Sequence, residues 1–113
     1  MKYNNKVTRY GNRTYQSKLE ADYAQQLDIL MKAGEIQDWN GQVRYRLEVN
    51  GKKICDIIPD FWVKTKHGAE EIHETKSWAT QTPVWRVKWK LMQALYPEYK
   101  YVVVQRKDLA KWR

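Results

Sequence analysis

The stretch from Ile58 to Lys76 constrains this chain most, because two apolar runs flank a short turn and each run carries acid at its outer end. Pro59-Asp60 lies at one outer end, and Glu74-Thr75-Lys76 lies at the other. The turn segment Lys66-His67-Gly68 ends in glycine, which adopts positive φ without steric strain. The pattern predicts a β-hairpin that holds two acids and a lysine.

The length of the turn decides whether the two acids meet. Residues directly opposite each other in an antiparallel pair point to the same face, and a three-residue loop pairs Asp60 with Glu74. Their Cβ atoms would then lie roughly 5 Å apart, with Lys76 diagonal to Asp60 on the same face. A two-residue loop would pair Asp60 with Thr75 and separate the acids. The acid pair is therefore a candidate metal site that depends on an odd loop length.

The composition limits the class of protein. A chain of 113 residues suffices for one domain, and 42% hydrophobic residues with 13% aromatic residues argue against disorder. No apolar run approaches the length of a membrane span, and the N-terminal residues lack an apolar signal segment. We therefore expect a cytoplasmic protein with no membrane partner. The single Cys55 excludes an internal disulfide and makes a cysteine zinc site implausible.

Net charge points to the partner. The formal charge of +8 favours a polyanion, although an ordinary soluble protein with a charged surface is the alternative. Clustered acids would repel phosphate unless a divalent cation lay between them. Residues 1–16 form a predicted basic N-terminal arm. This arm either follows a nucleic-acid backbone or is a frayed terminus whose tyrosines pack locally.

Residues 17–113 form the predicted single domain, which begins with a helix. Ser17 followed by Glu20 is a capping box, and Gly34 closes the helix. The core face is set by the 3.6-residue spacing of Leu19, Tyr23, Leu27 and Leu30. Glu20 lies beside that face, where it is either a cap or a site residue.

Strands follow this helix. A short strand is expected at Glu35–Trp39, and Gln42–Val49 alternates apolar residues with polar ones, which predicts a strand with a basic face. Asn50-Gly51 predicts a type I′ turn into one long, covered strand over Lys52–Lys64, bent at Pro59. The third strand, Glu70–Ser77, carries little apolar material, so we expect a functional or edge strand with Glu71 and His73 at a solvated edge.

A second helix over about Val84–Tyr96 begins after Pro83 and stops at Pro97. Its tryptophans, Trp85 and Trp89, are expected in the core, and its basic edge is either a wet face or a phosphate-binding face. A buried strand over Tyr99–Gln105 and a short terminal helix or tail over Lys107–Arg113 complete the chain.

The order helix, three strands, helix and strand, with Pro59-Asp60 on the second strand and Glu74-Thr75-Lys76 on the third, resembles the PD-(D/E)xK nuclease superfamily, also called restriction-endonuclease-like. Within it, the chain is similar to small phage and prophage proteins once catalogued only as a domain of unknown function. The resemblance covers about residues 14 to 105. It implies an α/β (α+β) fold, a mixed β-sheet of about four strands flanked by helices in the order αβββαβ.

The resemblance also implies roles. Asp60 and Glu74 would bind Mg²⁺, or Mn²⁺ as a substitute, with the main-chain carbonyl of Thr75. Lys76 would orient or help deprotonate the attacking water, and Glu20 would complete the metal shell directly or through water. The cation would lower the pKa of its water, and the products would carry 5′-phosphate ends. The extra acids Asp56, Glu70 and Glu71 depart from the simplest pattern.

Two classes of function compete. The first is a phage-encoded, metal-dependent DNA endonuclease in the host cytoplasm that selects branched DNA, such as a Holliday junction, as a homodimer. The alternative is a non-catalytic nucleic-acid-binding module with a nuclease-like fold, which predicts salt-sensitive binding without cleavage. An RNA substrate also stays open. The candidate nucleic-acid-binding residues are Arg44, Arg46, Arg86, Lys88 and Lys90.

Overall fold

The computed structural model describes residues 8–76 and 80–109. The predicted features at residues 1–7, 77–79 and 110–113 lie outside this part of the chain. Among the described residues there are eight strands and three helices. In chain order they are β1 (Thr8–Tyr10), β2 (Arg13–Tyr15), α1 (Lys18–Lys32), β3 (Ile36–Gly41), β4 (Tyr45–Val49), β5 (Lys52–Ile57), β6 (Phe61–Thr65), β7 (Glu70–Thr75), α2 (Pro83–Leu95), β8 (Lys100–Val104) and α3 (Arg106–Leu109).

A four-stranded mixed sheet forms the centre of the fold, in the order β3-β6-β7-β8. The pairs β3–β6 and β6–β7 are antiparallel, and β7–β8 is parallel. Helix α2 connects the parallel pair, as a crossover requires. The predicted α+β class is confirmed, and the elements around this sheet follow the order α1, β3, β6, β7, α2, β8.

The predicted long strand over Lys52–Lys64 is wrong, because two strands occupy it. β5 ends at Ile57 and β6 begins at Phe61, with the break around Pro59, which has no N–H to donate to a ladder. β5 pairs only with β4, across an Asn50-Gly51 turn with φ of 52° and 79°. The β4–β5 hairpin is therefore a separate sheet inserted between β3 and β6, and its residue Ile54 is 58% exposed.

The predicted solvated edge at Glu71 and His73 is also wrong. β7 lies between β6 and β8, and His73 is 8% exposed. The His73 Nδ1 lies 2.7 Å from the Tyr23 hydroxyl, and its Nε2 lies 2.8 Å from Glu71 Oε1. Because Tyr23 and Glu71 give both ring nitrogens of His73 a hydrogen-bond partner, β7 can lie inside the sheet although its residues do not alternate between apolar and polar.

Two cores cover the two faces of the sheet, since neighbouring strand residues point to opposite sides. Phe61 and Val63 pack with α1 on one face, and Ile72 packs with α2 on the other. Helix α1 begins at its predicted cap, where Ser17 Oγ accepts from the Glu20 N–H at 3.1 Å. The members of the α1 core include Tyr15, Tyr23, Leu27, Phe61, Val63, Val104 and Leu109, and those of the α2 core are Leu47, Ile57, Ile72, Trp89 and Met92.

The N-terminal arm is folded from Thr8 onward. β1 and β2 form a hairpin, Tyr15 is 3% exposed within the α1 core, and the Tyr10 hydroxyl donates to Asp28 at 2.6 Å. This agrees with the alternative in which the tyrosines pack locally. Within the described ranges, no helix is long and apolar enough to cross a membrane.

Substituting Gly68 with alanine should lower the free energy of unfolding by about 1 kcal/mol, because Gly68 has a φ of +92° that L residues rarely adopt. Chemical denaturation would measure the change. His67→Ala, in the same exposed turn, is the matched control and should change stability by less than about 0.5 kcal/mol. Equal stability of both variants would contradict the strained turn.

Candidate active site

The hairpin that carries the acids has the predicted odd loop. The Thr65 N–H donates to the Ala69 carbonyl at 2.7 Å, which leaves three residues in the loop. The last pair of the ladder is Phe61 opposite His73, and Asp60 and Glu74 are the next residues on the two chains. The predicted loop length and register are therefore confirmed as far as this pair, with Gly68 at positive φ in the loop.

Hydrogen bonds between the chain at Asp60 and the chain at Glu74 and Thr75 hold both carboxylates in place. The Asp60 N–H donates to Glu74 Oε1 at 2.7 Å. In return, Asp60 Oδ2 accepts from the Thr75 N–H at 2.9 Å and from the Thr75 hydroxyl at 2.7 Å. These bonds replace the ladder just before β6 begins, and they orient both carboxylates at the same end of the sheet.

Glu20 joins the acids from the first turn of α1. Its Oε1 accepts from the Gln16 N–H at 3.2 Å, and its Oε2 accepts from Gln42 Nε2 at 2.8 Å. The Glu20 and Asp60 carboxyl groups are within hydrogen-bonding reach of each other. The sequence leaves open whether Glu20 is a helix cap or a site residue. In the structure its side chain both accepts the Gln16 N–H at the start of α1 and lies beside Asp60.

Gln42 is a site residue that the sequence does not indicate. It follows β3 with a φ of 60°, its N–H donates to the Asp60 carbonyl at 3.1 Å, and its side chain holds Glu20. A non-glycine residue at positive φ is sparsely populated and is typical of functional sites. No sequence pattern marks Gln42, which lies between the end of β3 at Gly41 and the start of β4 at Tyr45.

The three carboxyl groups are electrostatically strained. Burial, followed by the charge of Asp60, raises the pKa of Glu20 to about 7 and the pKa of Glu74 to about 8. Burial also raises the pKa of Asp60, against the hydrogen bonds from Thr75. Grouped carboxylates that resist ionisation are a frequent sign of a functional site, because their folded arrangement is unfavourable without a counter-ion.

Lys76 and Trp85 complete the cluster. The Lys76 Nζ lies 3.7 Å from Glu74 Oε2 and 5.0 Å from the centroid of the Trp85 ring. The Trp85 Nε1 donates to that same Glu74 oxygen at 2.9 Å. The sequence predicts Trp85 in the core. Trp85 does pack against Trp89, with 5.4 Å between the ring centroids, but its indole N–H points to Glu74.

The cluster lines a cavity of about 350 Å³. Among residues 8–76 and 80–109, no three His, Cys, Asp or Glu side chains form a ready-made metal cage. The donor chemistry nevertheless fits a hard divalent cation, because three carboxylates and a main-chain carbonyl supply oxygen ligands. Both Glu20 oxygens and Glu74 Oε1 accept one N–H each and keep a second lone pair, whereas Asp60 Oδ2 already accepts twice from Thr75 and Asp60 would bind a cation through Oδ1. The cavity lining consists of Gln16, Ser17, Leu19, Glu20, Gln42, Ile58, Asp60, Glu74, Thr75, Lys76 and Thr80.

Two of the five predicted nucleic-acid-binding residues adjoin the acids. Arg44 and Lys88 line a groove of about 470 Å³ that shares Ile58 and Glu74 with the acid cavity. Arg44 is paired with Asp56 at 3.0 Å, and the Lys88 ammonium donates to the Asp56 carbonyl at 3.2 Å. Asp56 thus anchors the basic groove and lies outside the acid cluster.

The other three predicted residues lie apart from both cavities. Arg46 pairs with Glu48 at 2.7 Å on the exposed side of β4. Arg86 and Lys90 are exposed on α2 and line neither the acid cavity nor the groove. Because a helix presents successive residues at different angles, Lys88 reaches the groove while its two predicted companions do not.

Residues 1–110 match the family model described as "Protein of unknown function (DUF1064)". Comparison with curated proteins and comparison with solved structures gave no match.

Proposed function

Since the chain belongs to the DUF1064 family, described only as proteins of unknown function, we propose from the site itself that it is a metal-dependent nuclease of the PD-(D/E)xK kind. One observation carries the proposal: Asp60, just before β6, and Glu74, on β7, are joined by hydrogen bonds, Glu20 lies beside Asp60 at the start of α1, and Lys76 follows the end of β7. Two buried acids, a half-buried acid and a lysine at the end of a sheet cost stability, and such a cluster is typical of a catalytic site.

The acids would hold the cation. Glu20, Asp60 and Glu74, with the Thr75 carbonyl, would bind Mg²⁺ or Mn²⁺, which supplies Lewis-acid polarisation of the phosphate and a more acidic water. The raised pKa values of Glu20 and Glu74 would fall in the presence of this positive charge, because an opposite charge favours the ionised carboxylate.

Lys76 would contact the reacting groups. Its ammonium is kept beside Glu74 by the Trp85 ring, so a cation is held at the cavity where negative charge develops on the phosphate. In the proposed reaction the oxygen of water bonds to phosphorus and the bond from phosphorus to the 3′ oxygen breaks. One proton of the attacking water passes to solvent and the departing 3′ oxygen takes up a proton from solvent, so the products are a 5′-phosphate and a 3′-hydroxyl.

The basic groove supports a nucleic-acid substrate. Arg44 and Lys88 lie along a groove continuous with the acid cavity, so a strand with its scissile phosphate at the acids could place a neighbouring phosphate against these cations. Such contacts recognise backbone and shape and carry no base sequence directly. We therefore propose DNA of defined structure, with a four-way junction as the first candidate and a homodimer as the form that makes paired cuts.

A cleavage panel tests the proposal. Purified protein would be incubated in Mg²⁺ with a four-way junction, linear duplex, single-stranded DNA, supercoiled plasmid and RNA, beside Asp60→Ala and Lys76→Ala. Cleavage by the wild type that both variants lose supports the proposal, and the fastest substrate identifies the class. Equal cleavage by the wild type and both variants contradicts the site. Salt-sensitive binding without any cleavage would support the non-catalytic binding module instead.

Trp85→Phe should lower the cleavage rate by roughly 10-fold, because phenylalanine keeps an aromatic ring near Lys76 but cannot donate to Glu74. The measurement is the single-turnover rate at saturating Mg²⁺. Trp89→Phe is the matched control: Trp89 is 8% exposed in the α2 core, so this change should lower the melting temperature and leave the rate within about 3-fold. A rate loss in Trp89→Phe equal to that in Trp85→Phe would assign Trp85 a packing role alone.

A further inference from the structure

Arg13 is an exposed cation held in one place. It lies on β2 with its guanidinium 5.8 Å from the centroid of the Trp39 ring. Burial raises the pKa of the Tyr15 hydroxyl, and the adjacent Arg13 opposes that rise. An exposed arginine placed over an aromatic ring has lost part of the freedom that a surface arginine normally keeps.

Gly41 makes room for this guanidinium. A Cβ added at Gly41 would meet Arg13 Nη1 at 2.7 Å and the Asp60 carbonyl oxygen at 3.5 Å. The guanidinium therefore lies against the end of β3, beside the backbone of a proposed metal ligand. Gly41 does not have a positive φ, so its lack of a side chain serves this close approach and not a turn.

Arg13 has no anionic partner in the described residues. The ion pairs of this part of the chain involve other lysines, arginines and histidine. Asp28 lines the same cavity as Arg13 but accepts from the Tyr10 hydroxyl and from Trp39 Nε1, not from the guanidinium. A guanidinium without a carboxylate partner is suited to bind an oxyanion through its fork of N–H donors.

Arg13 lies near the acids but is not among the residues that line their cavity. The groove of Arg44 and Lys88 shares Glu74 with the acid cavity, whereas the Arg13 guanidinium approaches Gly41, which lies beside the Asp60 carbonyl. A phosphodiester strand that reaches the acid cluster could therefore extend to Arg13.

We propose that Arg13 binds a backbone phosphate of a DNA strand that also reaches the acid cluster. The assignment rests on the proposed nuclease function for its substrate class, but it concerns binding and does not require cleavage. The N-terminal hairpin is then part of the substrate-binding surface and adds a phosphate contact to those of Arg44 and Lys88.

The test measures the affinity for a fluorescein-labelled four-way DNA junction without divalent cation. Fluorescence anisotropy reports binding, and the titration is repeated at several salt concentrations. Arg13→Gln should weaken binding by roughly 10-fold and reduce the magnitude of the salt slope by about 1. Gly41→Ala should also weaken binding, by a smaller factor, although every charge is retained, since the new methyl group shifts the guanidinium from its place. The double variant should bind no worse than Arg13→Gln, because both changes remove the same contact.

Arg9→Gln is the matched control, since Arg9 is exposed on the same hairpin and its removal changes the net charge equally. The proposal is overturned if Arg13→Gln loses no more affinity than Arg9→Gln, or if Gly41→Ala binds like the wild type at equal thermal stability. Arg13-dependent binding together with an inactive wild type would support this inference and remove the nuclease proposal. Absence of binding to the junction, at any salt, would overturn this inference regardless of the cleavage result.

Discussion

Replacing Asp60 with asparagine should reduce the rate of DNA cleavage by about 10³-fold and, at the same time, raise the thermal stability of the metal-free protein at pH 8. The loss of rate follows because Asp60 is the central acid: its charge acts on both Glu20 and Glu74, and its N–H donates to Glu74. The gain in stability follows because the charge of Asp60 disfavours ionisation of both neighbours. Opposite signs for activity and stability distinguish a functional acid from a structural one.

Asparagine suits this test because its amide oxygen can still accept from the Thr75 N–H and hydroxyl. The measurements are single-turnover cleavage and calorimetric melting in EDTA. Asp38→Asn is the control: it removes one negative charge from an exposed position on β3, away from the acid cavity, and should change neither quantity appreciably. A marked loss of stability in Asp60→Asn would indicate that the carboxylate is needed for folding.

The metal-free protein should lose stability as the pH rises from about 4.5 to 8. In the folded protein the pKa of Glu20 is about 7 and that of Glu74 is about 8, whereas a glutamate in the unfolded chain has the ordinary pKa of 4.5. Across this window the folded state retains protons that the unfolded chain has released, so the free energy of unfolding falls with rising pH. We expect a fall on the order of 3 kcal/mol, measured by urea denaturation in EDTA.

Mg²⁺ should reverse that loss at pH 8. A ligand that binds only the folded state at 100 times its dissociation constant stabilises it by about 2.7 kcal/mol. The double variant Glu20→Gln/Glu74→Gln is the control, because it removes both titrating groups and should flatten the pH dependence and the response to Mg²⁺ together. A wild-type protein whose stability rises between pH 5 and 8, with no effect of Mg²⁺, would contradict the strained acid cluster.

The register of the acid hairpin could be predicted because strand pairing obeys a parity rule and Gly68 identifies the turn. The capped start of α1 could be predicted for a similar reason, since Ser17 and Glu20 have the spacing of a helix N-terminus. These are local features, in which neighbouring residues determine the geometry. The order of elements around the four-stranded sheet followed from the same local patterns.

Non-local features escaped the sequence. The apolar residues on both sides of Pro59 look like one strand, and only tertiary pairing decides that β5 leaves the sheet to join β4. The burial of β7 depends on Tyr23, 50 residues from His73, which satisfies its polar group. Gln42 and Trp85 contact the acids from segments that carry no sequence motif. Periodicity could place Trp85 on a helix, but it could not indicate that either side chain contacts an acid.

The central claim is that the Glu20, Asp60, Glu74 and Lys76 cluster is one metal-dependent hydrolytic site. Its most direct test is the rate of cleavage of the best DNA substrate as a function of Mg²⁺ concentration, for the wild type and Glu74→Gln. The account predicts no cleavage by the wild type in EDTA, a saturable rise with Mg²⁺, and a rate at least about 100-fold lower in Glu74→Gln throughout. Cleavage that persists in EDTA, or coincident curves for the two proteins, would contradict it.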